Sequence, residues 1–103
     1  MNKSELIEEL ASRANIILTA ADKIVSEVFG SMADTLAAGG RIEIRGFGSF
    51  VVKHRRARQG RNPKSGVLVS VAAKRVPFFK VGKELRLRVD GQPYDPADEG
   101  DDE

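Results

Sequence analysis

Apolar positions recur at helical spacing through the first third of the chain. Leu6, Ile7, Leu10, Ala11 and Ala14 fall on one helical face, the signature of an amphipathic helix. Asn2 precedes Glu5 by three residues, the spacing of a capping box with Asn in place of Ser or Thr. A first helix over about Lys3–Ala14 follows. Thr19 is placed to cap a second helix, with Asp22 at its third position favourable to the helix dipole. Ala21, Ile24, Val25, Val28, Phe29, Met32, Ala33 and Leu36 then form a wide apolar stripe, which Gly39-Gly40 ends. The Met and Phe on this stripe are core residues and call for no cofactor.

The period changes at Arg41. "RIEIR" alternates, with Ile42 and Ile44 on one face and Arg41, Glu43 and Arg45 on the other. "GFGSFVV" resumes a strand after a glycine-rich turn or bulge, and "VLVSVAAKRVPFF" makes a third. A short final helix over Gly82 to Val89 would turn Leu85 and Val89 inward. Two helices, a three-stranded antiparallel sheet and a short last helix make an α+β fold. Between the second and third strands, from about Lys53 to Arg75, lies a hairpin whose outgoing leg is nearly bare of large apolar side chains. At about 3.3 Å per residue, each leg of some ten residues could reach roughly 30 Å. A lone ribbon of this kind is marginally stable in water, so it reads as an arm that a partner orders.

Charge sharpens that picture. The chain has 103 residues, no cysteine and a net charge of +2, but the charges are segregated. Residues 41 to 88 hold fourteen basic side chains against Glu43 and Glu84, a net +12. From Asp90 onward there are seven acids and no base. A +12 stretch exceeds what solubility requires and points to a polyanion. Guanidinium groups fork onto phosphates and fit narrow minor grooves. At the tip of the arm sits Pro63, between Asn62 and Lys64. The residues alone leave two readings of it: a turn started by Asn62-Pro63 and completed by Gly66, or a rigid apolar wedge pushed between base pairs.

The absence of cysteine leaves no disulfide framework and no thiolate metal site, which fits a reducing compartment. No apolar run approaches the roughly 18 residues of a membrane span, and "MNKSELIEEL" opens a helix where a signal peptide would need an apolar stretch. A soluble cytoplasmic protein is expected. His54 lies within an arginine run without a second histidine, so it suits solvent or phosphate better than a metal or acid–base chemistry. "GFG" lacks the third glycine of a dinucleotide fingerprint and "GRNPKSG" is not a Walker loop. No enzyme, cofactor or small-molecule substrate is indicated. An RNA-binding module would show aromatic residues for base stacking, and the arm has none.

"RIEIRGFGSF", "GRNPKSG" and "VPFFKVGKELR", together with the two-helix start, resemble the bacterial HU and integration host factor family. The likeness runs from Met1 to about Val89, and within the family "RIEIRG" is most similar to the beta-subunit branch of integration host factor. The resemblance implies an intertwined dimer, with itself or with an alpha-type subunit, whose two arms wrap double-stranded DNA in the minor groove as nucleoid-associated architectural proteins do. It implies that Pro63 intercalates, flanked by Arg61, Asn62 and Lys64. Lys53, Arg55, Arg56, Arg58, Lys74 and Arg75 would line the arm, and Lys3, Lys80, Lys83 and Arg86 would hold phosphates on the body. Glu43 and Arg45 match positions linked to sequence preference, where a carboxylate could orient an arginine. Phe47, Phe50 and Phe79 would be dimer core. A nonspecific HU-like packaging homodimer is the alternative within the family. Val81 stands where the family usually has the proline that starts the last helix. Residues 1–94 form the domain so described, and the acidic stretch 95–103, outside the family pattern, is expected to be a disordered tail.

Overall fold

In the computed structural model, which describes residues 1–95, the elements run α1 (Lys3–Ala14), α2 (Leu18–Ala37), β1 (Ile42–Ile44), β2 (Gly48–Arg55), β3 (Arg58–Arg61), β4 (Leu68–Val71), β5 (Lys74–Val81) and α3 (Lys83–Val89). The α+β class and the order of elements agree with the hydrophobic pattern. Past Asp95 the expected acidic tail lies outside the described residues. The chain forms two compact units, Met1–Ala38 and a second beginning at Gly39.

In the helical unit, α1 starts on its capping box. The Asn2 side-chain oxygen accepts from the Glu5 N–H at 2.8 Å, and the Asn2 N–H donates to the Glu5 carboxylate at 2.9 Å. The helix ends at Asn15, which takes the left-handed conformation (φ 54°, ψ 50°). The Ile16 N–H then closes onto the Ala11 carbonyl at 3.0 Å. The second helix begins earlier than the Thr19 cap predicts. Its N-cap is Ile17, in extended backbone with no side-chain cap. Ile16 packs against the core of Ile7, Ala21 and Val25, so helical geometry resumes as soon as Ile16 is seated, and packing overrides the capping preference. Asp22 consequently falls beyond the first turn and accepts from the Ser26 hydroxyl at 3.2 Å. In this unit Ile7, Ala21 and Val25 are buried, while Ile24, Val28 and Phe29 on the α2 stripe remain about half exposed.

In the second unit the sheet order is β1-β2-β5, all antiparallel. The β2–β5 ladder runs from Gly48 opposite Val81 to Arg55 opposite Lys74. It resumes in β3–β4 with Arg58 opposite Val71 and Arg61 opposite Leu68. Two residues intervene on each leg, Arg56-Ala57 and Ala72-Ala73, so the arm keeps one register across the break. The expected third strand is therefore interrupted once, at Ala72-Ala73.

Cross-strand partners share a face. One face carries Ile42, Phe50 and Phe79 in a row, then Ile44, Gly48 and Val81, then Val52 and Pro77. The Phe79 ring lies 4.8 Å from that of Phe50 and 5.6 Å from that of Phe47. The other face carries Glu43, Ser49 and Lys80 in one row. Helix α3 starts at Lys83 without a proline before it. The Gly82 N–H donates to the Phe47 carbonyl at 2.8 Å and the Leu85 N–H to the Gly46 carbonyl at 3.0 Å. The turn between β1 and β2 thus takes up donors that an opening helix leaves unpaired, and Val81 does not displace the helix.

Candidate nucleic-acid interface

The register distributes the basic side chains of the arm. On the apolar face of the sheet no charge occurs until the row of His54 and Arg75. Beyond it the same face carries Arg58, opposite Val71. The other face carries Lys80 beside Ser49, then Lys53, then Arg55 opposite Lys74, and finally Arg61 opposite Leu68. The arm is therefore basic on both faces. Lys53 is held near the base of the arm, its ammonium 3.7 Å from the centre of the Phe78 ring, a cation–π contact. Arg55, Arg56, Arg58 and Lys74 are exposed.

The tip is built around Asn62. Its backbone N–H donates to the Val67 carbonyl at 2.8 Å and its carbonyl accepts from the Gly66 N–H at 2.7 Å. Its side-chain oxygen accepts from the Lys64 N–H at 2.9 Å and the Ser65 N–H at 3.4 Å, an Asx turn. Gly66 supplies the positive φ, 73°, that closes the turn. The Arg61 guanidinium donates to the Gly66 carbonyl at 3.1 Å. These bonds tie Asn62 and Arg61 to the turn itself. Pro63 makes none of them and stands exposed at the apex, with Lys64 exposed beside it.

The remaining expected residues are spread over other elements. Lys80 lies on β5, and Lys83 and Arg86 lie on α3. Lys3 is the first residue of α1, in the helical unit. Glu43 and Arg45 are not brought together. Glu43 pairs instead with Arg41, at 2.8 Å, because the strand ends at Ile44 and the chain turns at Arg45. Arg45 sits in the turn after β1 and lines a small cleft of about 110 Å³ with Phe47, Glu84 and Arg88. Arg88 is itself paired with Glu84 at 3.4 Å. Arg41 and Arg88 are thus charged neighbours that the motif-based reading leaves out. The i,i+2 spacing on a strand and the i,i+4 spacing on a helix are the signals that would have found them.

Among the described residues no cluster of His, Asp or Glu could hold a metal ion, and no helix is long and apolar enough to cross a membrane. The geometry is that of a basic ribbon with a stapled tip, offered to a polyanion.

Comparison with known proteins agrees. Residues 1–90 match the family model described as bacterial DNA-binding protein. The integration host factor beta subunit of Burkholderia multivorans is 57% identical over 106 residues, covering 100% of this chain and 99% of that protein. That of Burkholderia vietnamiensis is 55% identical over the same span. Among solved structures, HU from Anabaena, crystallised with DNA, superposes with a TM-score of 0.79 at 36% identity, over 86% of this chain and 97% of that one. HU from Thermotoga maritima gives a TM-score of 0.62 at 30% identity, over 86% of this chain and 98% of its own. The chain belongs to the bacterial DNA-binding protein family of HU and integration host factor.

Proposed function

We propose that this protein is an architectural DNA-binding protein that bends duplex DNA, with two arms in the minor groove and Pro63 as the intercalating wedge at the tip of each. The observation that carries the wedge is the independence of the turn from its proline. The hydrogen bonds of the tip run through Asn62, Lys64, Ser65, Gly66, Val67 and Arg61. The turn needs no apolar ring at its apex, and charge there would bind phosphate better. A wedge gives the ring a use: partial unstacking costs a few kcal/mol per step in minor-groove architectural proteins, this family included, and the kink lets more duplex reach the basic flanks.

A second copy or an alpha-type chain completes the core. Ile24, Val28 and Phe29 on α2, and Phe47 and Phe79 of the aromatic cluster, are each more than a third exposed in the single chain. Leaving that apolar surface in water would cost a small domain much of its stability. The full-length likeness to integration host factor beta subunits favours a heterodimer. The likeness to HU structures keeps the packaging homodimer as the second reading. Either assembly acts in the cytoplasm on the nucleoid, supporting recombination and transcription through the shape it imposes on DNA. No catalysis is called for.

Energy transfer between dyes at the two ends of a short duplex tests the wedge, with the parent and Pro63→Ala each at saturating concentration. The variant is expected to keep its fold and to bind, while bending the duplex less. Equal transfer at saturation would make Pro63 a turn residue only.

A further inference from the structure

His54 is the one histidine of the chain, and it stands inside the basic arm. It lies near the end of β2, opposite Arg75 on β5, and is exposed. Among the described residues its imidazole has no hydrogen-bond or ion-pair partner. The groups around it are cations. Lys53 and Arg55 flank it on the opposite face, with Lys74 across from Arg55, and Arg56 follows where the ladder breaks. Its own face continues to Arg58 toward the tip, and to Val52 and Pro77 toward the body. The Arg75 guanidinium reaches toward Gly39, 4.0 Å from where a Cβ there would stand. No acidic residue occurs between Glu43 and Glu84. Glu43 lies in the row of Ser49 and Lys80, toward the other end of the sheet, and Glu84 is on α3. The arm thus offers no carboxylate to hold a charged imidazole.

Lysine and arginine keep their charge throughout the physiological range, whereas histidine changes charge between about pH 5 and 8. A neighbouring anion favours the charged form of an imidazole, and a neighbouring cation favours the neutral form. Resting on the DNA-binding reading, we infer that His54 is a further phosphate contact, one that takes up a proton from solvent as the arm meets duplex DNA. The added charge appears only where a phosphate is present to receive it. A fixed cation at this position would add to the self-repulsion of an arm already crowded with like charge, and an imidazole avoids that cost in the free protein. The complex then holds more protons than its separate parts. Affinity therefore rises as pH falls through the histidine range, with a slope equal to the number of protons taken up.

Fluorescence anisotropy on one labelled duplex, at fixed ionic strength from about pH 5.5 to 8, measures the linkage. The full-length parent should tighten by about threefold to tenfold per copy as the pH falls. His54→Gln should lose that rise. His54→Arg, charged throughout, should bind with little dependence on pH and hold at the alkaline end what the parent gains only at the acid end. Salt supplies a second readout. The parent's slope of log affinity on log salt should be steeper at the acid end by about 0.9 per copy, while that of His54→Gln stays the same at both ends. Alpha-amino groups also titrate near neutrality, so the comparison of variants assigns the proton. A parent whose affinity ignores pH, or a His54→Gln variant with the parental dependence, would overturn the proton linkage with the DNA-binding reading intact. A parent that fails to bind the duplex at every pH would overturn both.

Discussion

Gly48→Ala should destabilise the sheet, and the size of the effect can be worked from its surroundings. Gly48 pairs with Ile44 on one side and Val81 on the other, at the start of β2. An added Cβ would overlap the Lys80 carbonyl and stand 2.6 Å from two atoms of the Phe79 ring. The carbonyl is backbone of the neighbouring strand and cannot yield without breaking the ladder. The ring is held between Phe47 and Phe50. Overpacking of this kind costs about 1–3 kcal/mol, and a non-glycine residue at a φ of 156° adds strain of the order of 1–3 kcal/mol. The two together give roughly 2–6 kcal/mol. At about 4–8 °C per kcal/mol for a domain of this size, the melting midpoint should fall by roughly 8–48 °C. The internal control is Gly60→Ala, where the nearest atom would be 3.5 Å away. Replacing a glycine without strain gains about 0.4–1 kcal/mol through the unfolded chain, so its midpoint should hold or rise slightly. Far-ultraviolet circular dichroism at one fixed chain concentration is the assay, because a melting midpoint depends on chain concentration whenever folding is coupled to association. A Gly48→Ala midpoint within about 5 °C of the parent would refute the steric reasoning.

Two further outcomes follow from the charge distribution. Arg58→Ala should flatten the dependence of log affinity on log salt by about 0.9 for each phosphate it no longer neutralises, twice that in a symmetric dimer; an unchanged slope would place Arg58 away from the phosphates. Six of the last nine residues are acidic, and on a tether they can compete with phosphate for the basic arm, so truncation after Tyr94 should tighten DNA binding at low salt, and equal affinities there would remove the competition.

Local physics was readable along the chain wherever one residue type and its spacing decide the outcome. The bounds of α1 and both halves of its cap follow from Asn2, Glu5 and the apolar period. The alternation in "RIEIR" assigns Ile42 and Ile44 to one face, and the observed register agrees. The +12 stretch, the motif "GRNPKSG" and Pro63 identify the family and the arm. Other features depend on where distant segments meet. The start of α2 moved to Leu18 because Ile16 had a core to join, and packing outweighs a cap worth about 1 kcal/mol. The start of α3 was set by carbonyls of Gly46 and Phe47, far earlier in the chain. Glu43 found Arg41 and not Arg45, because the strand ends and the chain turns at Arg45. Arg61, one of four arginines in the run, became a staple for the tip because the turn brought the Gly66 carbonyl within reach. Composition and period determine which elements form and what charge they carry. Which polar group finds which partner is decided only when the backbone closes, because hydrogen bonds and ion pairs act over a few ångströms and the sequence alone does not state those distances.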